Sequence, residues 1–374
     1  MTRERDILIL GTDEAGYGPN LGPLLVGASC WRAPADEDAT DDSARNPLLL
    51  FSTPSPDEFN NPPRWSPDRL NAALAPISGS RKSVFPLLDS KQLYGPSKSL
   101  AALERPFMLA SALLGRDSEA FAAIVRGLRS ESSDAPPPWE RDANLPAPVD
   151  SKTLKRPLEP DLQTVRDRLT TENVALLDLA ARRVQPKEFN AILDRVGLKS
   201  ALIADVTTSL IVETLLSALG RLRKTDSAAP EFALVLCDKL GGRDRYASIL
   251  QERFCGASIR VLREGRDASV YRFTATEGRD RDGKPRPFPS PTTIEARFTA
   301  RGEANAPTAL ASIVAKYLRE LSMRLINEYW RRVMAPKTLT PTAGYPVDAL
   351  RFRDDVDDAR RRLGVPDDVF WRRK

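Results

Sequence analysis

Asp6 to Trp31 reads DILILGTDEAGYGPNLGPLLVGASCW, and this stretch decides how the rest of the chain is read. Asp6 to Leu10 is an apolar run short enough for a buried strand, and Pro23 to Trp31 is a second. Between them the Gly- and Pro-punctuated stretch from Gly11 to Gly22 predicts a tight loop. The segment therefore predicts a strand, a tight turn and a return strand. Asp13 and Glu14 stand at the mouth of the turn, where successive side chains of an extended chain point to opposite sides.

Working outward, Ala33 to about Pro76 and Ser130 to Pro160 are rich in Pro, Asp and Ser and are expected to be surface insertions, partly disordered. Ser97 to Leu114 carries apolar residues at helical spacing. Val174 to Val184 predicts a strand, Pro186 to Leu193 a helix and Ala201 to Leu222 a long helix. Phe232 to Cys237 is an apolar run suited to a central parallel strand that ends at Asp238. Arg243 to Phe254 predicts a helix and Ser258 to Arg263 a strand. Val270 to Ala275 and Thr293 to Thr299 alternate like a hairpin, and Pro307 to Trp330 closes the core as a long helix. Early antiparallel strands followed by strands joined through helices predict a mixed α/β sheet.

Composition narrows the chemistry. The 374 residues are 41% hydrophobic, enough for one large α/β domain with insertions or a catalytic domain with a small appendage. The chain has no histidine, which removes Ser-His-Asp and Cys-His triads and the HExxH zinc hydrolases together. Cys30, Cys237 and Cys255 form no CxxC pair, arguing against a zinc site and suiting a reducing compartment. The charged start and the lack of about 18 consecutive apolar residues predict a cytoplasmic protein with no membrane partner. A net charge of +5 suits a polyanionic partner, although acidic and basic residues are both abundant.

Read singly, the carboxylates are modest signals. A DE pair before a turn is far more often solvated than catalytic. Asp238 is more informative, because the tips of central strands in α/β sheets are where sites are built. Glu303 stands ahead of the last long helix, where an acidic residue is favoured by the helix dipole alone. Gly11 to Gly22 lacks the GK[ST] ending of a phosphate loop and does not match GxGxxG, so a nucleotide-binding reading ranks low.

Read together, four ordered segments resemble the ribonuclease HII family. Gly11 to Pro23 is similar to its opening signature, GxDEAGRGPxxGP, and Leu88 to Leu93 (LDSKQL) to its DSKxL segment. Glu303 to Lys316 resembles the element in which an acidic residue precedes Pro and then ASIxAK. Gly344-Tyr345 resembles its C-terminal GY pair. The resemblance implies a ribonuclease H-like sheet of five strands, three antiparallel and then parallel, flanked by helices. It also implies a catalytic domain over 1–335, with insertions at about 33–80 and 130–160, and a helical substrate-binding segment over 336–374. Asp13, Glu14, Asp238 and Glu303 would hold two Mg²⁺ or Mn²⁺ ions, and hard oxygen donors suit both metals. Gly16, Tyr17, Gly18 and Tyr345 would sense the 2′-hydroxyl, and Lys91 and Lys316 would meet phosphates. The implied substrates are RNA–DNA hybrids and duplex DNA containing ribonucleotides. Three features depart from the pattern. Tyr17 replaces the arginine of GRG. Glu303 replaces an aspartate, as in the related ribonuclease HIII group, and the spacing from Pro307 to Ala311 is one residue short. The alternatives are a homologue that binds hybrids without turnover, and insertions that serve as a protein-interaction module. The arginines from Arg351 to Lys374 suit either a phosphate surface or a solvated helix with internal ion pairs.

Overall fold

Alternation along the first strand sends Ile7 and Ile9 to one side of the sheet and Leu8 and Leu10 to the other, and two separate apolar layers grow from that division. The computed structural model describes residues 6–35, 66–88, 90–95, 99–130, 135–141, 145–224, 230–300 and 305–373. In chain order its elements are β1 (Asp6–Ala15), β2 (Leu24–Pro34), α1 (Asp68–Ser78), α2 (Ser90–Tyr94), α3 (Ala101–Leu113), α4 (Phe121–Gly127), α5 (Pro138–Arg141), α6 (Ser151–Leu154), α7 (Glu159–Thr171), β3 (Ala175–Val184), α8 (Pro186–Val196), α9 (Lys199–Lys224), β4 (Phe232–Asp238), α10 (Ala247–Arg253), β5 (Arg260–Arg263), β6 (Ala268–Arg279), β7 (Pro285–Thr299), α11 (Ala306–Met334), α12 (Pro346–Arg362) and α13 (Asp367–Phe370).

The strands form one mixed sheet in the order β3-β2-β1-β4-β7-β6-β5. β1, β2 and β3 are antiparallel neighbours, β4 joins β1 and β7 joins β4 in parallel, and β6 and β5 continue antiparallel. The expected change from antiparallel to parallel at β1 is therefore present, but seven strands stand where the resemblance implied five. The reason is the hairpin. β7 pairs with β4 on one side and with β6 on the other, and β6 carries β5 beyond it.

Two long helices cover the two faces. α11 crosses β1 and β2 so closely that a Cβ on Gly11 would fall 2.2 Å from the Thr308 nitrogen, and one on Gly27 would fall 2.2 Å from the Ala311 oxygen. Only glycine permits that approach. Ser29 Oγ fixes it by donating to the Pro307 carbonyl at 2.8 Å. α9 lies on the other face, with Leu210, Val212, Leu215 and Leu219 in the apolar layer there. It is long and apolar enough to cross a membrane by length and composition, yet most of its apolar stretch is buried against the sheet.

Three expectations need correction. Part of the stretch read as a first unstructured insertion is α1, whose Leu70, Ala73, Leu74 and Ile77 line one buried helical face. The stretch from 130 to 160 contains buried Trp139, Leu145 and Ala147 and the start of α7, so its described residues belong to the packed body. The predicted helix from Arg243 is also shorter. Residues 238–246 make a turn instead, in which Tyr246 Oη donates to the Arg243 carbonyl and accepts from the Leu240 N–H.

A third apolar cluster joins the end of α11 to α12 and α13 through Trp330, Phe352 and Phe370, with Trp139 from α5 beside them. Truncating a buried tryptophan of this kind costs about 3–5 kcal/mol, so the C-terminal segment is firmly held. Several of its arginines follow the ion-pair reading. Arg351 pairs with Asp348 and Asp355, and Arg360 and Arg361 pair with Asp357.

Candidate active site

The parallel pairing of β1 and β4 brings Thr12 opposite Cys237, so the next residues, Asp13 and Asp238, emerge together at one end of the sheet. Alternation continues beyond the register. Ile7 and Ile9 lead to Asp13 on the α11 face, as Leu234 and Leu236 lead to Asp238, while Glu14 follows Leu8 and Leu10 toward the α9 face. Asp13 is 7% exposed. Burial, then the charges of Glu14 and Asp238, push its carboxyl up to about 7, against hydrogen bonds from the Ser312 hydroxyl and the Glu14 N–H. No cation pairs with Asp13 or Asp238 among the described residues. Lys239, next in sequence, donates its ammonium to Asp244 at 2.7 Å instead, leaving Asp238 only the Lys239 N–H at 2.9 Å.

Ser312 links two of the quoted segments. Its hydroxyl bonds the Asp13 carboxyl and lies 2.8 Å from Ser90 Oγ, so the LDSKQL and ASIVAK segments meet behind Asp13. Neither serine was singled out from sequence, although both lie inside segments that were.

The glycine-rich loop rests on a buried arginine. Arg319 of α11 donates to the carbonyls of Pro23 at 2.8 Å and Ala343 at 3.1 Å, and burial pushes its guanidinium down to about 10. Gly16, at φ +85°, sits above it, where a Cβ would lie 2.9 Å from Nη1. Gly344, at φ +87°, docks on the same loop and accepts at its carbonyl from the Asn20 N–H at 2.9 Å. This brings Gly18 and Tyr345 together, since a Cβ on Gly18 would lie 4.0 Å from the tyrosine ring. Tyr345 is 54% exposed. Tyr17 leans the other way, against the glycine turn after Asp238, and partial burial and the charge of Glu14 raise its hydroxyl. A C-terminal strap completes the support. The Arg372 N–H donates to the Asn20 carbonyl at 2.8 Å, and Asn20 Nδ2 returns a bond to the Arg372 carbonyl at 2.9 Å.

Lys316 and Tyr345 line one cleft of about 380 Å³, with Tyr94 opposite. Lys316 is not a free cation, because it pairs with Glu320 at 2.7 Å and lies over the Tyr94 ring. Lys91 belongs to α2, but its side chain lies outside the described residues, and so does Glu303. The described flank of Glu303 begins beside the site, since Thr299 is the register partner of Asp238. Among the described residues no group of three or more acidic or cysteine side chains is placed to hold a metal ion. Strand alternation accounts for this, because it parts Glu14 from Asp13 and Asp238. The donors that are present, the carboxylates of Asp13 and Asp238, are hard oxygen ligands of the kind a divalent cation takes.

No family model matches the chain, and no curated protein matches it. Among solved structures, ribonuclease H2 from Pyrococcus horikoshii is similar over 97% of this chain and 92% of its own, at 16% identity and a TM-score of 0.39. A chain of the PCNA:RNase HII complex from Archaeoglobus fulgidus aligns over 98% and 95%, at 12% identity and 0.35. Bst-RNase HIII in complex with Mn²⁺ aligns over 99% of this chain and 67% of its own, at 13% identity and 0.36. Values this low assign no family by comparison.

Proposed function

We propose that this chain is a divalent-metal-dependent endonuclease of the ribonuclease HII kind. It would hydrolyse the RNA strand of RNA–DNA hybrids or nick duplex DNA 5′ to an embedded ribonucleotide, leaving 3′-hydroxyl and 5′-phosphate ends. The observation that carries the reading is Asp13: a carboxylate buried at the joined ends of β1 and β4, beside the charges of Glu14 and Asp238 and with no cation paired to it among the described residues. Such a group costs folding energy unless something positive is bound there in use.

In this reading Asp13, Glu14, Asp238 and Glu303 hold two Mg²⁺ or Mn²⁺ ions. When bound, such ions activate a water molecule and stabilise the leaving 3′-oxygen. The chain's own residues do the rest. Ser312 and Ser90 orient the Asp13 carboxyl. Arg319 holds the loop through backbone carbonyls, so that Gly16, Tyr17, Gly18 and Tyr345 face the ribose, and the 2′-hydroxyl is the group that separates RNA from DNA there. Lys91 and Lys316 neutralise phosphates, and residues 336–374 buttress the substrate side through the strap at Asn20.

The test is cleavage of three labelled duplexes, one DNA with a single ribonucleotide, one RNA–DNA hybrid and one all-DNA control, in Mg²⁺, Mn²⁺ or EDTA. Metal-dependent cuts 5′ to the ribonucleotide support the type II specificity, and cuts in the long hybrid alone move it toward the ribonuclease HIII kind. Binding of either substrate with no cleavage in either metal sinks the enzyme reading and leaves the hybrid-binding homologue.

A further inference from the structure

A second cleft, of about 400 Å³, opens between the α1–α2 connection, the start of α3, and α6. Among the described residues five cations line it, Arg81, Lys82, Arg105, Lys152 and Arg156, and no carboxylate does. Arg105 and Arg156 share one carboxylate, Asp161, at 3.0 and 2.9 Å, and Arg105 spends its remaining donors on the carbonyls of Arg156 and Pro157. Arg105, buried and held by these bonds, forms the fixed floor, whereas the Arg156 side chain is 57% exposed. Arg81, Lys82 and Lys152 are exposed and form no ion pair among the described residues, although Asp150 lies near Lys152. Asp150 is occupied, holding Ser99 Oγ at 2.7 Å and the Lys152 N–H at 2.9 Å.

The second observation is a hydroxyl. Thr153 also lines the cleft, is 5% exposed, and its Oγ1 has no hydrogen-bond partner among the described residues. A buried hydroxyl left unmet costs about 1–3 kcal/mol; this one has almost no accessible surface, so an incoming acceptor would reach it only with a local shift of the cleft wall. Exposed cations at the rim, a pinned arginine on the floor and a threonine in the lining together describe a site for a ligand rich in anionic oxygens. The volume exceeds what one small anion fills. The cleft also adjoins the candidate active site, because Leu93 of α2 lines it and lies one helical turn from Ser90, which reaches Ser312 behind Asp13.

We propose that this cleft binds phosphate groups, and that its occupant is the sugar-phosphate backbone of the nucleic acid engaged at the Asp13 site. The choice of occupant rests on the nuclease reading, whereas the phosphate chemistry does not. A free nucleotide or polyphosphate presents the same groups and is the other source.

The experiment is binding in EDTA, where no cleavage intervenes. A labelled RNA–DNA hybrid is titrated by fluorescence anisotropy across a salt series, and pyrophosphate is titrated by calorimetry. Both are done with the wild-type chain, an Arg81→Gln, Lys82→Gln, Lys152→Gln triple variant, and Thr153→Val. For a backbone occupant the triple variant loses about tenfold or more in hybrid affinity at low salt. Its slope of log K against log salt shrinks by roughly 2 to 3, at about 0.7–0.9 per lost phosphate contact. Thr153→Val weakens binding a few-fold with the slope unchanged, and it folds normally because the hydroxyl it removes has no partner. Pyrophosphate binding that both variants abolish, with hybrid affinity unaltered, supports the phosphate site with the free compound as its source. Unchanged hybrid affinity, unchanged slope and unchanged pyrophosphate binding in both variants overturn the proposal. That result alongside metal-dependent cleavage overturns this site alone, whereas weakened binding in a wild-type chain that never cleaves overturns the nuclease reading alone.

Discussion

Two buried aspartates lie two strands apart in one sheet and are treated in opposite ways. Asp178 of β3 is wholly buried and is held by two arginines, Arg116 at 2.5 Å and Arg129 through bonds of 3.0 and 2.6 Å. Asp13 of β1 is nearly as buried but meets a serine hydroxyl, a backbone N–H and the like charges of Glu14 and Asp238. A buried carboxylate needs compensation. At Asp178 the chain supplies it and builds structure. At Asp13 no cationic side chain pairs with the carboxylate among the described residues, and under the proposed function a bound metal ion would supply the positive charge.

The comparison breaks most visibly in activity. Asp13→Asn is expected to lower metal-dependent cleavage of a ribonucleotide-containing duplex by about a thousandfold or more, about 4 kcal/mol of transition-state stabilisation. It should leave substrate affinity in EDTA within a few-fold, as single-turnover kinetics beside anisotropy will show. Asp178→Ala is the reverse case. It strands two cations and is expected to cost about 3–5 kcal/mol in urea unfolding, while the turnover of molecules that remain folded stays near wild type.

Proton linkage sharpens the contrast further. Burial and neighbouring carboxylates raise Asp13 to about 7 from an ordinary 3.8, so the folded chain holds this proton more tightly than the unfolded chain does. Asp13 therefore favours folding fully below about pH 4, and its contribution is lost as pH rises through about 7. Urea unfolding in EDTA across that window should show a wild-type stability that falls with pH relative to Asp13→Asn. A parallel pair of curves would count against an uncompensated Asp13. The smallest effect is expected at the loop. Tyr345→Ala should cost roughly tenfold in cleavage at a single ribonucleotide, about 1.4 kcal/mol, and less on a long hybrid.

Much of this was legible in the residues. Seven strand-like segments can be read from alternation and apolar runs, and the sheet has seven; the count of five came from the resemblance, which carried no information about this chain's long hairpin. α1 was lost behind composition. Pro67 and Pro76 and the Pro-rich stretch before them signal a loop, yet Leu70, Leu74 and Ile77 keep helical spacing and do bury. Pro67 stands at the N-cap, where proline costs a helix little. At the site, Asp13 and Asp238 were readable as strand-end carboxylates because both follow apolar runs. Arg319 was not. An arginine in a helix reads as surface, and its partners are the carbonyls of Leu21, Pro23 and Ala343, which only the folded chain brings to it. Thr153 and the cations around it come from separate segments and share no local pattern.

Thermal unfolding of the wild-type chain and Asp13→Asn at pH 8, each in EDTA and in MnCl₂, tests the central claim most directly. The account predicts that Mn²⁺ raises the wild-type Tm and leaves Asp13→Asn nearly unmoved, and that in EDTA the variant is the more stable of the two. Equal shifts with Mn²⁺ in both proteins, or none in the wild type, would contradict a cation site built on Asp13.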